Sequence, residues 1–189
     1  MGISGSLSGI PRPAVFLDRD GVINAVRLAD GKPYPPQSVE AVVVLDGVTQ
    51  AIRLLDEAGY VCVVVTNQPD LARGSARNAD VEAIHVRIAD LTGLQHFYTC
   101  PHDDSDRCDC RKPLPGLLLR AARELDLDLD SSFMVGDRWR DVEAGKSAGV
   151  RCFYIDYGYS ERPAVGYDWV VASLSEAASI ILAKHQLVP

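Results

Sequence analysis

No stretch of this chain approaches the ~20 consecutive apolar residues that a membrane-spanning helix needs, so a membrane partner is not expected. Basic excess is missing too. Nineteen lysines and arginines stand against 26 aspartates and glutamates, a formal net charge of -7. Nucleic-acid binding usually shows a basic face, which makes a nucleic-acid partner a poor expectation. An acidic total does not exclude an anionic small substrate, because a site can be locally basic. Cysteine is scarce: five in 189 residues, odd in number and unevenly placed. That is no disulfide framework, and it points to a reducing cytosol. A chain this long buries roughly 70% of its unfolded surface and needs no staples. The opening MGISGSLSGI has neither a basic n-region nor an apolar h-region, so it does not read as a secretion signal. Residues 1–12 are expected to form a flexible leader and residues 13–189 a single cytoplasmic, monomeric domain.

Short apolar runs alternate with amphipathic stretches. AVFLD (14–18), VCVVVT (61–66), HFYTC (96–100), FMVGD (133–137) and CFYID (152–156) are β-branched or aromatic, mostly without polar alternation. Parallel strands covered on both faces read this way. DWVV (168–171) is a sixth candidate, at an edge. Between them, Val48, Ala51, Ile52 and Leu55 share one helical face, closed by Gly59. Val81, Ile84, Ile88 and Leu91 share another, with His85 expected at the surface. Pro115 opens a third helix, Asp141–Ala148 forms a short fourth, and Ser173 with Glu176 caps a fifth. The expectation is an α/β domain: a doubly wound, mainly parallel sheet flanked by helices. Residues 24–44, rich in Pro and Gly, are expected to form a loop before the first helix, with a short strand at its end as an option, and are too few for a separate cap domain.

In open parallel sheets, ligands bind beyond the carboxyl ends of the strands. Those ends carry LDRDG, with Asp18 and Asp20; TNQ, with Thr66, Asn67 and Gln68; the cysteine-rich loop and Lys112; and GDRWRD, with Asp137 and Asp141. In extended backbone Asp18 and Asp20 point to one side. Two carboxylates facing one pocket need a cation or a shared proton. Asp137 from a neighbouring strand would complete an all-oxygen site suited to Mg²⁺. Such a set fits phosphoryl transfer. A carboxylate can attack phosphorus, Thr66, Asn67 and Lys112 can hold equatorial oxygens, and Asp20 can move a proton. The plainer reading of Asp18 and Asp20 is a cap on the turn before Gly21.

Cys100, His102, Cys108 and Cys110 fall within eleven residues, as two i, i+2 pairs joined by a short hairpin. Three thiols and an imidazole make a closed structural zinc set. The alternatives are a disulfide pair or four unliganded side chains. Zinc would pin a loop with too few apolar residues to hold itself, and so position Lys112 and Arg111. Cys62 and Cys152 lie in apolar runs and are expected to be buried thiols.

In their order along the chain, DRDG (18–21), TN (66–67), Lys112 before Pro113 and GD (136–137) resemble the haloacid dehalogenase superfamily of phosphohydrolases. The resemblance implies Asp18 as nucleophile, Asp20 as general acid/base, Thr66 and Lys112 as phosphate holders, and Asp137 as a Mg²⁺ ligand. It adds the backbone carbonyl of Asp20 to the metal and leaves Asp141 beside the site. With the zinc hairpin, TNQPDLARG (66–74) and CRKPLPGLLL (110–119) resemble one subgroup, the heptose bisphosphate and histidinol-phosphate phosphatases. There the residues matching Arg111 and Arg138 contact substrate; Arg73 is a further candidate. The implied substrate is a small phosphorylated sugar, a heptose 1,7-bisphosphate, with histidinol phosphate as the alternative. The short hairpin, Pro69-Asp70 for Ser-Gly and Val22 for Thr depart from the heptose pattern. Receiver-type signalling domains and non-catalytic zinc modules are the rivals of another class.

Overall fold

The computed structural model describes residues 11–185, so residues 1–10 of the expected leader and the last four residues lie outside the described residues, while Arg12, read as the end of the leader, is the first residue of β1. Six parallel strands form one sheet in the order β5-β4-β1-β6-β7-β8. They are β1 (Arg12–Leu17), β4 (Val61–Asn67), β5 (His96–Cys100), β6 (Leu127–Gly136), β7 (Arg151–Ile155) and β8 (Trp169–Val171). β2 (Arg27–Ala29) and β3 (Lys32–Tyr34) form a separate antiparallel hairpin. Among the described residues the α-helices are α1 (Val48–Glu57), α2 (Asn78–Thr92), α3 (Gly116–Leu125) and α4 (Trp139–Ala148) between strands, and α5 (Leu174–His185) after β8.

The central strand explains the sheet. In β1, Val15 and Leu17 enter an apolar layer with Ile52, Leu55, Ile88 and Ala177, from α1, α2 and α5. Ala14 and Phe16 enter the opposite layer with Leu117, Leu118 and Val142, from α3 and α4. A strand apolar on both faces can only be covered by helices on both faces. Every crossover then leaves the carboxyl ends of the strands on one edge. The doubly wound reading is borne out, including the edge strand, where Phe153 pairs with Trp169 in parallel register.

Several expectations move. β6 begins at Leu127, six residues before the apolar run, and its polar start pairs with Arg12 and Pro13 across an irregularity. Backbone pairing there outweighs the polar side chains. Helix α4 begins at Trp139, and Pro115 is the residue before α3 rather than its first turn. Segment 24–44 is not wholly loop: it holds the β2–β3 hairpin and a 3₁₀ turn at Val39–Ala41, and Val44 bridges Asn24. Ser173 caps α5 by accepting from the Glu176 amide, while the Glu176 carboxylate reaches back to the amide of Ala172. His85 is not a surface residue but only 4% exposed. Cys62 and Cys152 are buried as expected, and burial pushes both thiols up to about 12. Among the described residues no helix is long and apolar enough to cross a membrane.

Candidate active site

A cleft of about 510 Å³ opens over the carboxyl edge of the sheet. Asp18, Asp20, Thr66, Asn67 and Lys112 line it, and so do Arg73, Arg111 and Arg138. Asp137, fully buried, is absent from the cleft wall.

β1 ends at Leu17, and the Asp18 amide bonds to Val135 of the adjacent strand, so the Asp18 side chain emerges where β1 meets β6. Asp137 follows the last residue of β6. Asp141 lies on the first turn of α4, where its Oδ2 accepts from the Arg138 amide. The three carboxylates bring oxygens within 4.8 Å of one another. Two glycines make that approach possible. A Cβ on Gly21, whose φ is +93°, would lie 1.9 Å from Oδ2 of Asp137. One on Gly136 would lie 2.1 Å from the Cβ of Asp141.

Asp18 and Asp20 both face the cleft, but their carboxylates have different neighbours. After Asp18 the chain turns, with the Ile23 and Asn24 amides both bonded to the Arg19 carbonyl. The Asp20 carboxylate therefore leaves the acid cluster, whose third member is Asp141. Asp20 instead accepts from Arg19 at 2.8–3.1 Å, from Asn24 at 2.9 Å and from Gln68 at 3.0 Å. The expectation that its backbone carbonyl faces a metal does not depend on that side chain.

One buried cation answers the acids. Lys112 Nζ lies 2.7 Å from Asp18 Oδ1, 2.6 Å from Asp141 Oδ1 and 2.7 Å from the Val65 carbonyl. Burial works against its charge, but Asp141 and Asp18 outweigh it and hold Lys112 above the ordinary lysine value. One ammonium is too little for three carboxylates. Burial, with Asp141 and Asp20 adding to it against Lys112, pushes Asp18 up to about 6. Burial and the neighbouring Asp18 and Asp141 raise Asp137 well above the carboxylate range. Tyr159 donates to Asp137 Oδ2 at 2.9 Å, while the buried Oδ1 has no partner. A carboxylate oxygen orphaned in a buried, oxygen-only cluster fits a hard divalent cation.

The second cluster is a loop beyond β5. Cys100 Sγ lies 3.2 Å from Cys110 Sγ and 3.7 Å from Cys108 Sγ, and His102 Nδ1 lies 3.3 Å from Cys110 Sγ. Tetrahedral Zn–S bonds of ~2.3 Å would place sulfurs ~3.8 Å apart. All five cysteines are free, and the cluster could hold a zinc ion. The loop then delivers Lys112. The Asn67 amide bonds the Lys112 carbonyl at 2.9 Å and accepts from its amide at 3.1 Å. Asn67 thus ties its side chain to the Lys112 backbone while still lining the cleft. Thr66 Oγ1 accepts from Gln68 at 2.9 Å.

At the rim, Arg73 pairs with Asp103, Arg111 with Asp104 and Arg138 with Glu161. Lys32 and Tyr34 of the β2–β3 hairpin complete the wall. Trp139 also lines it, with the Arg140 and Arg162 guanidiniums 4.6 and 4.2 Å from its ring centre. Sequence reasoning missed Tyr159, Glu161, Arg19 and His85. The first two come from the loop after β7, which carries no motif. Arg19 is inside a motif but flanked by louder acids.

A haloacid dehalogenase-like hydrolase family model matches residues 27–149, and the chain belongs to that family. It is 35% identical to a D-glycero-beta-D-manno-heptose-1,7-bisphosphate 7-phosphatase of Yersinia pestis, over 92% of this chain and 97% of the relative. It is 36% identical to the protein of that name from Escherichia coli K12, over 94% and 96%. A solved D,D-heptose 1,7-bisphosphate phosphatase from B. bronchiseptica, complexed with magnesium and phosphate, superposes with a TM-score of 0.76 at 32% identity, covering 91% of this chain and 99% of that one. Family and relatives together make the protein a phosphatase.

Proposed function

We propose that the protein is a Mg²⁺-dependent phosphomonoesterase that removes one phosphate, the 7-phosphate, from D-glycero-D-manno-heptose 1,7-bisphosphate. The observation that carries the chemistry is Asp18, held beside Lys112 and the buried acids at the floor of a cleft with arginines on its rim. Asp18, Asp137 and the Asp20 backbone carbonyl would hold Mg²⁺. The bound ion would offset the repulsion among the carboxylates and draw the phosphate oxygens toward Asp18. A carboxylate oxygen of Asp18 attacks phosphorus, and the bond from phosphorus to the sugar oxygen breaks. Asp20 gives its proton to that departing oxygen. A water then attacks the aspartyl-phosphate, its proton goes to Asp20, and the bond from phosphorus to Asp18 breaks to release inorganic phosphate. Lys112 and Thr66 hold the equatorial oxygens while charge spreads over them.

The four Cys/His side chains would bind one structural Zn²⁺, fixing the loop that carries Arg111 and Lys112. The distal part of a bisphosphorylated sugar meets Arg73, Arg111 and Arg138, which a second anionic group can win from their own carboxylates in bidentate fashion. Lys32 and Tyr34 stand where a cap domain would otherwise select substrate. Residues 13–189 would act as one catalytic domain and as a monomer in the cytoplasm. The relatives' printed substrate supports the heptose reading. Steady-state kinetics on the heptose bisphosphate, histidinol phosphate and p-nitrophenyl phosphate test it. Arg111→Ala should lower kcat/KM far more for the bisphosphate than for the aryl phosphate, since a remote group helps only if it orients the reacting one. Histidinol phosphate turned over at least ~10-fold more efficiently than the heptose ester, a difference of about 1.4 kcal/mol, would replace the substrate assignment.

A further inference from the structure

Arg19 lies between the proposed nucleophile and the proposed acid/base, and it is completely buried. Its Nε and Nη2 hold the two oxygens of Asp20. Its Nη1 finds a partner elsewhere, 3.1 Å away at Nε2 of His85 on α2. A guanidinium only donates, so Nε2 accepts and the ring proton sits on Nδ1, which faces Glu82 Oε2 at 3.9 Å. The ring is itself fixed, stacked on Phe97 of β5 with centroids 4.9 Å apart. Burial first, then the Arg19 charge, holds His85 down to about 4, so at neutral pH it is the acceptor that Arg19 needs.

We propose that His85 is a positioning residue for the acid/base step: by accepting from Nη1 it fixes the plane of the Arg19 guanidinium, and that plane sets where the Asp20 carboxylate stands in the cleft. This rests on the reading of Asp20 as acid/base. His85 is a side chain removed from Asp20 and touches no substrate. Without an acceptor, Nη1 is left unpaired in a buried place, which costs about 1–3 kcal/mol or more for a charged group. The guanidinium turns to find another partner and carries Asp20 with it. The Asn24 and Gln68 side chains also donate to Asp20, and Asn24 meets Arg19 only through its amide on the Arg19 carbonyl, so neither fixes the guanidinium.

The distinguishing readout is leaving-group dependence. kcat/KM reports the steps up to departure of the alcohol. A simple primary alkyl phosphate needs its leaving oxygen protonated, whereas p-nitrophenyl phosphate scarcely does. His85→Phe keeps the stack on Phe97 and removes the acceptor; His85→Gln supplies an amide oxygen. His85→Phe should lower kcat/KM for the alkyl ester by roughly tenfold or more, a fraction of what acid/base catalysis is worth, and leave the aryl ester close to wild type. His85→Gln should recover most of the alkyl activity. Asp20→Asn run alongside should show a larger split of the same sign. Equal loss on both esters, or no loss on either, overturns the proposal and leaves His85 a core residue. If Asp20→Asn shows a split and His85→Phe does not, the positioning role alone falls. If Asp20→Asn shows none, the assignment of Asp20 falls and takes the proposal with it. Circular dichroism and zinc content matching wild type establish that each variant is folded.

Discussion

Among the described residues stand two clusters of ligand-type side chains, and they are assembled in opposite ways. Asp18 is distant in sequence from Asp137 and Asp141 and meets them because β1 and β6 are neighbours and α4 starts where β6 ends. They are nearly inaccessible, and the scaffold around them is two apolar layers. Cys100, His102, Cys108 and Cys110 are neighbours in sequence: Cys100 ends β5, buried, and the other three follow on a loop whose only regular structure is the 3₁₀ turn Asp104–Asp106, in which no residue is buried. The oxygen cluster is a product of the fold. The sulfur cluster would have to produce its own local fold, since nothing apolar spans 101–107. Losing a bound Mg²⁺ from the first would leave the scaffold standing; losing a bound zinc ion from the second would take the scaffold away.

The largest effect should come from Asp18→Asn. Loss of the nucleophile should cut turnover by on the order of 10⁴–10⁶-fold, the size seen when a catalytic unit loses its central member. The metal-free protein should nevertheless become more stable. Asp18 is raised to about 6 because the fold disfavours its anion even beside Lys112, and an amide removes that penalty. Steady-state kinetics and thermal melts in the presence of a Mg²⁺ chelator check both halves. A fall in melting temperature would show that the Lys112 pair outweighs the repulsion, against the comparison as drawn.

Which cluster could be read in advance follows from the same contrast. The sulfur set is local, so spacing alone revealed all four members. The oxygen set was legible as far as the strand ends were, because an apolar run followed by an acid marks both. What could not be read is where the chain turns after a strand. Asp20 shares the cleft with Asp18 as read, but the chain turns after Arg19, and the acids clustered with Asp18 are Asp137 and Asp141. Helix periodicity put His85 outside, yet a polar ring can be buried when a buried guanidinium needs an acceptor, and that need arises on another element. Tyr159 belongs to a loop of no pattern, brought to Asp137 by tertiary packing alone. β6 showed only its apolar half, since backbone pairing leaves no trace in side-chain polarity.

Next in size should be Cys108→Ser. The variant should lose zinc, become susceptible to trypsin at Arg107 and Arg111, and turn over roughly 10²-fold more slowly, the usual cost of an ångström of misplacement. No atom of the cluster reacts; the loss comes through Lys112, two residues beyond Cys110. Zinc analysis, limited proteolysis and kinetics read it. Full activity in zinc-free protein would mean that Asn67 alone holds Lys112, and the two clusters would be independent.

Smaller again is the effect of Tyr159→Phe. Its hydroxyl occupies Oδ2 of Asp137, leaving Oδ1 free. Removing it should weaken Mg²⁺ by ~10–100-fold, the usual worth of a group that orients a ligand, with zinc content unchanged. Calorimetric titration of Mg²⁺ into chelator-treated protein measures this.

The smallest effect is a dependence on pH, and it separates the clusters by sign. Asp18 in the metal-free fold has a pKa near 6 against an ordinary value of 3.8. Between those values the folded protein binds more protons than the unfolded, so stability falls as pH rises from about 4 to about 6. Asp137 acts in the same sense. The sulfur cluster runs the other way, because thiolates and imidazole take zinc only when deprotonated, so acid releases the ion. The difference in melting temperature between Asp18→Asn and wild type isolates the first term. His85, held near 4 against 6.5, gives stability that is lost as pH falls through that interval, but it does so in both proteins and cancels. In chelator the difference should grow by a few degrees, ~2–4 °C per kcal/mol, as pH is raised from 4 to 7. With saturating Mg²⁺ it should shrink or reverse, since the ion binds the wild-type carboxylate better than the amide. A colorimetric zinc assay on the same samples should show zinc retained at the top of the range and released toward the bottom. If the difference did not change with pH, Asp18 would be ionised in the metal-free fold at no cost, and Lys112 would be a sufficient counter-charge for the whole oxygen cluster.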